Sequence, residues 1–154
     1  MNIYIFLIAG YVAMSSSLPT DDRYRFFQSI GSRQYYIEDY LQANWELAFL
    51  ICRKRGLHLV SLEQEQDQQR LKEYLSKNDL GNKTFWTSAT DKDLDSWFWL
   101  DVGEPFKGDS FSSDSENQET HCLAIKEGTF YKTNCTLSNY FICEYRADPT
   151  LRYY

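Results

Sequence analysis

Residues 85–101 read Phe-Trp-Thr-Ser-Ala-Thr-Asp-Lys-Asp-Leu-Asp-Ser-Trp-Phe-Trp-Leu-Asp, two aromatic runs either side of a charged turn. Phe85-Trp86-Thr87 is strand-like. Thr90 to Ser96 is a polar turn carrying four charges. Trp97-Phe98-Trp99-Leu100 is aromatic on consecutive positions, too short for a helix and suited to a buried strand. Trp86, Trp97 and Trp99 therefore read as core residues. This block separates a helical half from a strand-rich half.

Toward the N-terminus, Leu57 to Leu62 is a short buried run, and His58 within it reads as a satisfied core histidine rather than a base. Leu41, Trp45, Ala48 and Cys52 recur at helical spacing and predict a first helix over residues 39–55. Asp39 lies near its start, Arg53, Lys54 and Arg55 crowd its end, and Gly56 is the C-cap candidate. A second helix is expected over residues 63–77. Ser61 and Gln64 have capping-box spacing there, and Leu71, Tyr74 and Leu75 form its apolar face. Gly81 lies in the segment that ends it. Gln34 to Glu38 is compatible with a strand, preceded by a polar lead-in over residues 18–34.

Toward the C-terminus, Lys107 to Thr120 is a long polar stretch that reads as an irregular loop, and such loops are usually functional or flexible. Cys122 to Lys126, Thr129 to Thr133 and Tyr140 to Glu144 read as three short strands. Two helices followed by several strands and one long loop make an α+β domain. Residues 35–146 are taken as that domain and 147–154 as a tail. With 154 residues, one domain is the prior. Sixteen Lys and Arg against 22 Asp and Glu give a net charge of -6, which argues against nucleic acid as a partner.

Ile3 to Met14 is mostly apolar and uncharged, and serines follow at 15–17. That is the pattern of a signal peptide over residues 1–17, cleaved after Ser15 or Ser17. It is shorter than the roughly 20 residues a transmembrane helix needs, and no membrane span is expected. Secretion would leave Cys52, Cys122, Cys135 and Cys143 oxidised, with three connectivities open. Zinc is set aside because neither His58 nor His121 stands at finger spacing. Sequons at Asn82 and Asn134 suit the same compartment. No nucleophile elbow, phosphate loop or metalloprotease motif is present, so an enzyme is not expected.

These segments resemble the C-type lectin-like domain from about Tyr35 to Glu144. The residues that carry the resemblance are Asn44-Trp45 with Ala48 and Cys52, Gly56 to Leu62, Phe85 to Asp91, Trp97 to Asp101, and Phe141-Ile142-Cys143-Glu144. The Trp-Thr-Ser version after the second helix is most similar to secreted single-domain lectins of insects. The resemblance implies two helices packed on short antiparallel sheets, with bridges Cys52–Cys143 and Cys122–Cys135. It also implies extracellular recognition, of carbohydrate first and of a protein ligand as the alternative.

Calcium-dependent members of this family hold sugar through Ca2+, a hard cation that takes oxygen ligands. Carried over by position, the preceding Trp falls on Phe111, the ligand triplet on Ser115, Glu116 and Asn117, and a further ligand near Thr120 with Glu119 adjacent. The proline between the triplet's side chains is missing. The strand pair of ligands falls on Tyr131 and Lys132, and a cation there repels a metal. The conventional calcium site is therefore expected to be degenerate, with Asn117, Glu116 and Glu119 as its remaining acidic or amide candidates. Phe111, Tyr131 and Tyr140 are aromatics on which a ligand could be held without metal.

Overall fold

In the computed structural model, residues 27–108, 112–113 and 121–147 are described. The expected signal segment, most of the long loop and residues 148–154 lie outside them. Strands β1 (Phe27–Ile30) and β2 (Arg33–Ala43) form an antiparallel hairpin. β1 thus arises inside the segment read as a lead-in. Helix α1 (Trp45–Lys54), the short β3 (His58–Leu59) and helix α2 (Glu65–Lys77) follow. The second half contributes β4 (Phe85–Thr90), β5 (Phe98–Trp99), β6 (Glu104–Pro105), β7 (Ser112–Ser113), β8 (Cys122–Lys126), β9 (Thr129–Thr133) and β10 (Asn139–Tyr145).

The strands join in one sheet of order β1-β2-β10-β4-β8-β9-β7, with β3, β5 and β6 branching from it. Pairing is antiparallel except for β10 with β4 and β7 with β9, which are parallel. All six residues of β4 are buried at the centre. Its polar side chains are matched there: the Thr87 hydroxyl donates to Leu123 O at 2.8 Å, and the Ser61 and Ser88 hydroxyls share a hydrogen bond of 2.6 Å. The Trp86 indole donates to Ala43 O, and that of Trp45 to Thr87 O, each at 2.8 Å. Both tryptophans bury their rings without stranding an N–H, the usual condition for burying Trp.

Helix α1 begins six residues later than the sequence spacing predicts. Asp39 stays in β2, where it accepts from Lys83, and Asn44 is the N-cap, its Oδ1 accepting from Leu47 N at 2.9 Å. Its far end closes as expected. Gly56 sits at φ 72, its N–H bonds Arg53 O, and Leu57 N bonds Cys52 O at 2.9 Å, the double closure that glycine in the left-handed region permits. Helix α2 lacks the expected capping box, because Ser61 is fully buried against Ser88 and Gln64 makes no side-chain cap. Asp79 at φ 58 ends it, two residues before Gly81.

Two disulfides tie the halves together. Cys52 on the buried face of α1 meets Cys143 on β10, and Cys122 at the start of β8 meets Cys135 beyond β9. This is the pairing that the resemblance implies.

A charged cluster occupies the other side of β10. Glu144, with no side-chain exposure, accepts from Arg33 Nη1 at 3.0 Å, Arg146 Nε at 2.7 Å and Ser61 N at 2.9 Å. Arg33 and Arg146 also bind Glu63, each at 2.9 Å, and Arg33 reaches Asp67 at 2.8 Å. Burial pushes the Glu144 carboxyl up, and Arg146 pulls against it. Glu63 is more open; burial raises it too, but hydrogen bonds from Arg146 and Arg33 prevail and hold it below the ordinary range. Glu38 behaves likewise. Its burial is outweighed by hydrogen bonds from Leu41 N–H, the Tyr36 hydroxyl and Tyr40 N–H.

A sign follows for acid stability. Glu38 and Glu63 have lowered folded-state pKa values, so their contribution is complete above the unfolded value of about 4.3 and is lost as pH falls below it. Glu144 has the opposite sign and offsets part of this loss. The melting temperature is expected to fall on acidification from pH 5 to pH 3, and less steeply in Glu38→Gln. Thermal melts across that range are the check; an equal slope in the variant would remove Glu38 from the account.

Candidate functional site

The half of the molecule that carries the long loop is built on an aromatic stack. Trp99 from β5 lies 5.1 Å from Phe106 and 5.9 Å from Phe130 of β9, and Phe106 and Phe130 are 5.6 Å apart. Lys72 of α2 caps Phe130, its Nζ 4.6 Å from the ring centroid. One strand position of the same parity further on, Lys132 places its Nζ 5.3 Å from the centroid of Trp97. Trp97 is half-buried, unlike Trp86 and Trp99, and packs against the edge of the same core.

β9 pairs with β8 without register shift, so its side chains alternate between faces. Lys132 shares a face with Phe130, and Tyr131 lies on the opposite one. The structure therefore does not bring Tyr131 and Lys132 to one point. β7 runs parallel to β9, Ser112 against Tyr131 and Ser113 against Lys132. This anchors the middle of the loop beside Lys132. Phe111, Ser115, Glu116, Asn117 and Glu119 lie outside the described residues. Tyr140 is half-buried and packs 5.9 Å from Phe85, with Lys83 Nζ 4.9 Å from its own ring.

The strand positions that would serve a calcium ion do not fit one. Ca2+ takes six to eight oxygen ligands. Here the strand offers a phenol on one face and, on the other, an ammonium held against an indole. Among the described residues no group of three or more His, Cys, Asp or Glu converges on a point.

A second concave region, of about 730 Å3, is lined by Arg33, Arg53, His58, Glu144 and Arg146 among others. His58 is not a core residue: a quarter of its side chain is exposed. Its Nδ1 lies 3.0 Å from Oδ1 of Asp101, whose other oxygen accepts from Leu59 N at 2.7 Å. Asp101 has no side-chain exposure. It clamps β3, orients His58 and lies 3.7 Å from Arg53, while Arg33 and Arg146 in the same lining are matched by Glu144, Glu63 and Asp67. Among the described residues that line the region with His58 there is no serine, threonine or cysteine. His121, half-exposed, bonds Asp91 at 2.8 Å.

Sequence reasoning missed the Arg33–Arg146 clamp and the Lys132–Trp97 pair. No local signal marks either one: the pairing of β2 with β10 sets Arg33 beside Arg146, and packing between separate segments sets Lys132 over Trp97.

Comparison with known proteins agrees with this architecture. The family model "Lectin C-type domain" matches residues 41–145. The C-type lectin BJcuL of Bothrops jararacussu is 29% identical over 119 residues, covering 71% of this chain and 74% of that protein. The C-type lectin domain family 9 member A of Rattus norvegicus is 27% identical over 119 residues; the match covers 76% of this chain and 48% of that longer protein. Among solved structures, the mouse scavenger receptor C-type lectin carbohydrate-recognition domain has a TM-score of 0.65 at 25% identity. It covers 80% of this chain and 98% of its own. Human lithostathine has a TM-score of 0.67 at 16% identity over 79% of this chain and 98% of its own, which speaks to the fold alone. With the helices, the sheet order and both disulfides in place, the chain belongs to the C-type lectin domain family and is a lectin-like recognition module.

Proposed function

We propose that the chain is a secreted, non-enzymatic recognition module that binds carbohydrate without the calcium shell of metal-dependent family members. The observation that carries the metal-independent part is Lys132, a cation on β9 held 5.3 Å from the Trp97 ring beside the anchored loop. Similarity to a carbohydrate-recognition domain supports sugar as the ligand class. The apolar N-terminal segment and the sequons support an extracellular setting, with Asn82 exposed in the turn after α2. Asn134 is engaged locally, its Oδ1 accepting from both the amide and the hydroxyl of Thr136 at 2.9 Å.

The expected result on a glycan array is binding that persists in EDTA. Loss of all binding in EDTA would restore the calcium mechanism, and no binding in either condition would favour a protein ligand. Thermal shift gives an independent reading. A tight site specific to the folded state would stabilise by about 2.7 kcal/mol at a hundredfold excess over its dissociation constant. Less than about 1 kcal/mol is expected here in millimolar calcium.

A further inference from the structure

The outward face of α1 exposes two leucines among its charged side chains. Trp45, Ala48 and Cys52 face the core. On the opposite side Leu50 is the outermost residue, 61% exposed, and Leu47 beside it is 49% exposed. Just before the helix, at the end of β2, Tyr40 and Leu41 are 93% and 49% exposed. Four of the large exposed apolar residues thus fall within eleven consecutive positions. Leu47 and Leu50 share one side of the helix, and adjacent exposed leucines mark an interaction surface more than scattered ones do.

The charges along the same stripe say what fits it. Glu46 lies one turn before Leu50 and Lys54 one turn after. Glu46 is 43% exposed and is touched by Lys92, while Lys54 pairs with no carboxylate among the described residues. A stripe that runs acid, leucine, base is complementary to itself when turned end for end. A two-fold axis through Leu50 sets Glu46 of one copy against Lys54 of the other, and repeats the pair on the far side of the axis. It also stacks the two Leu50 side chains, with each Leu47 against the aliphatic stem of the other copy's Arg53.

We propose that α1 is the interface of a symmetric antiparallel dimer of this chain, centred on Leu50. Twofold interfaces are self-complementary by construction, and a patch of this kind meets the requirement. The helix has ten residues, about 15 Å of length. Its face is small beside the roughly 800 Å2 per partner of a standard interface, so the dimer is weak and reversible. Its use would be avidity, since pairing two recognition domains strengthens binding to a repetitive ligand without a new contact.

Sedimentation equilibrium of the full chain over roughly 10 µM to 1 mM tests this. The expected result is a monomer–dimer equilibrium that Leu50→Glu weakens at least about tenfold by setting two carboxylates on the axis. Lys54→Glu should weaken it as well, and the double variant Glu46→Lys with Lys54→Glu should recover it, because both intermolecular pairs are reversed together. These side chains are exposed, so an unchanged melting temperature in the variants shows that the fold is kept. A wild-type chain that stays monomeric throughout overturns the proposal and leaves the face to a different partner. A dimer indifferent to Leu50→Glu, or a double variant no better than Lys54→Glu, also overturns it.

Discussion

Replacing Cys52 and Cys143 together by alanine is expected to destabilise the chain by about 4–5 kcal/mol, the largest effect of any two-residue change considered. The bridge joins residues 91 apart. Chain-entropy arguments assign about 4.6 kcal/mol to closing a loop of that length in the unfolded state. The second bridge spans only 13 residues and is worth about 3 kcal/mol on the same reasoning. Native stabilities are about 5–15 kcal/mol, so losing the long bridge removes a large fraction of the total. The two cysteines are also fully buried, packed with Ala48, Leu59 and Phe141. Alanine leaves little void there, which keeps the measured change close to the cross-link term. Urea unfolding of the double variant is the check. A loss below about 1 kcal/mol would mean that the unfolded chain is already compact, so that closing the loop costs little.

The second large effect is expected at Glu144. Its carboxylate is fully buried and accepts from Arg33, Arg146 and Ser61 N–H. Removing one partner of a buried charge network leaves the others desolvated without a counter-charge, a loss of about 3–5 kcal/mol. Glu144→Ala should reach that range. Glu144→Gln should lose less, because an amide oxygen still accepts from Ser61 N and one guanidinium. Arg33→Met alone should be nearly as damaging as Glu144→Ala, since Arg33 also binds Glu63 and Asp67. Combining Arg33→Met with Glu144→Ala should cost clearly less than the two losses added. A double-mutant cycle with no coupling would show that the two residues stabilise the fold independently, and that the cluster is not one network.

Much of the architecture was legible because its signals are local. Trp45, Ala48 and Cys52 announce a helix with an inward cysteine, while Leu41, read into the same stripe, stands exposed in β2. The C-terminal closure of α1 follows from Gly56, whose missing Cβ allows the left-handed backbone. Three strands after residue 121 were read nearly to their observed ends. Boundaries went astray where tertiary contacts outbid local preference. Asp39 suits a helix N-terminus, but pairing with β10 extends β2 through Ala43 and moves the start to Asn44. Ser61 has capping geometry in the sequence, yet its hydroxyl is taken by Ser88 across the core. Phe27 to Ile30 reads as part of a polar lead-in, and becomes a strand only because β2 is there to pair with it.

The candidate site was less legible for the same reason. The sequence by itself determined the residue chemistry: Tyr131 and Lys132 stand where oxygen ligands would be needed, and no later contact can change their atoms. It also determined the class, through ordered motifs and four cysteines. Only the tertiary structure decided which side chains meet. It put Lys132 against Trp97, 35 positions away in the chain, and it separated Tyr131 from Lys132 across the pleat of β9. It opened His58 to solvent while burying Asp101 beneath it. It gathered Arg33, Glu63, and the neighbouring pair Glu144 and Arg146 from three distant segments into one network. It turned Leu47 and Leu50 outward on α1. A one-dimensional pattern records period and composition. Which face a strand or helix buries depends on what packs against it, and that is settled by the sheet order.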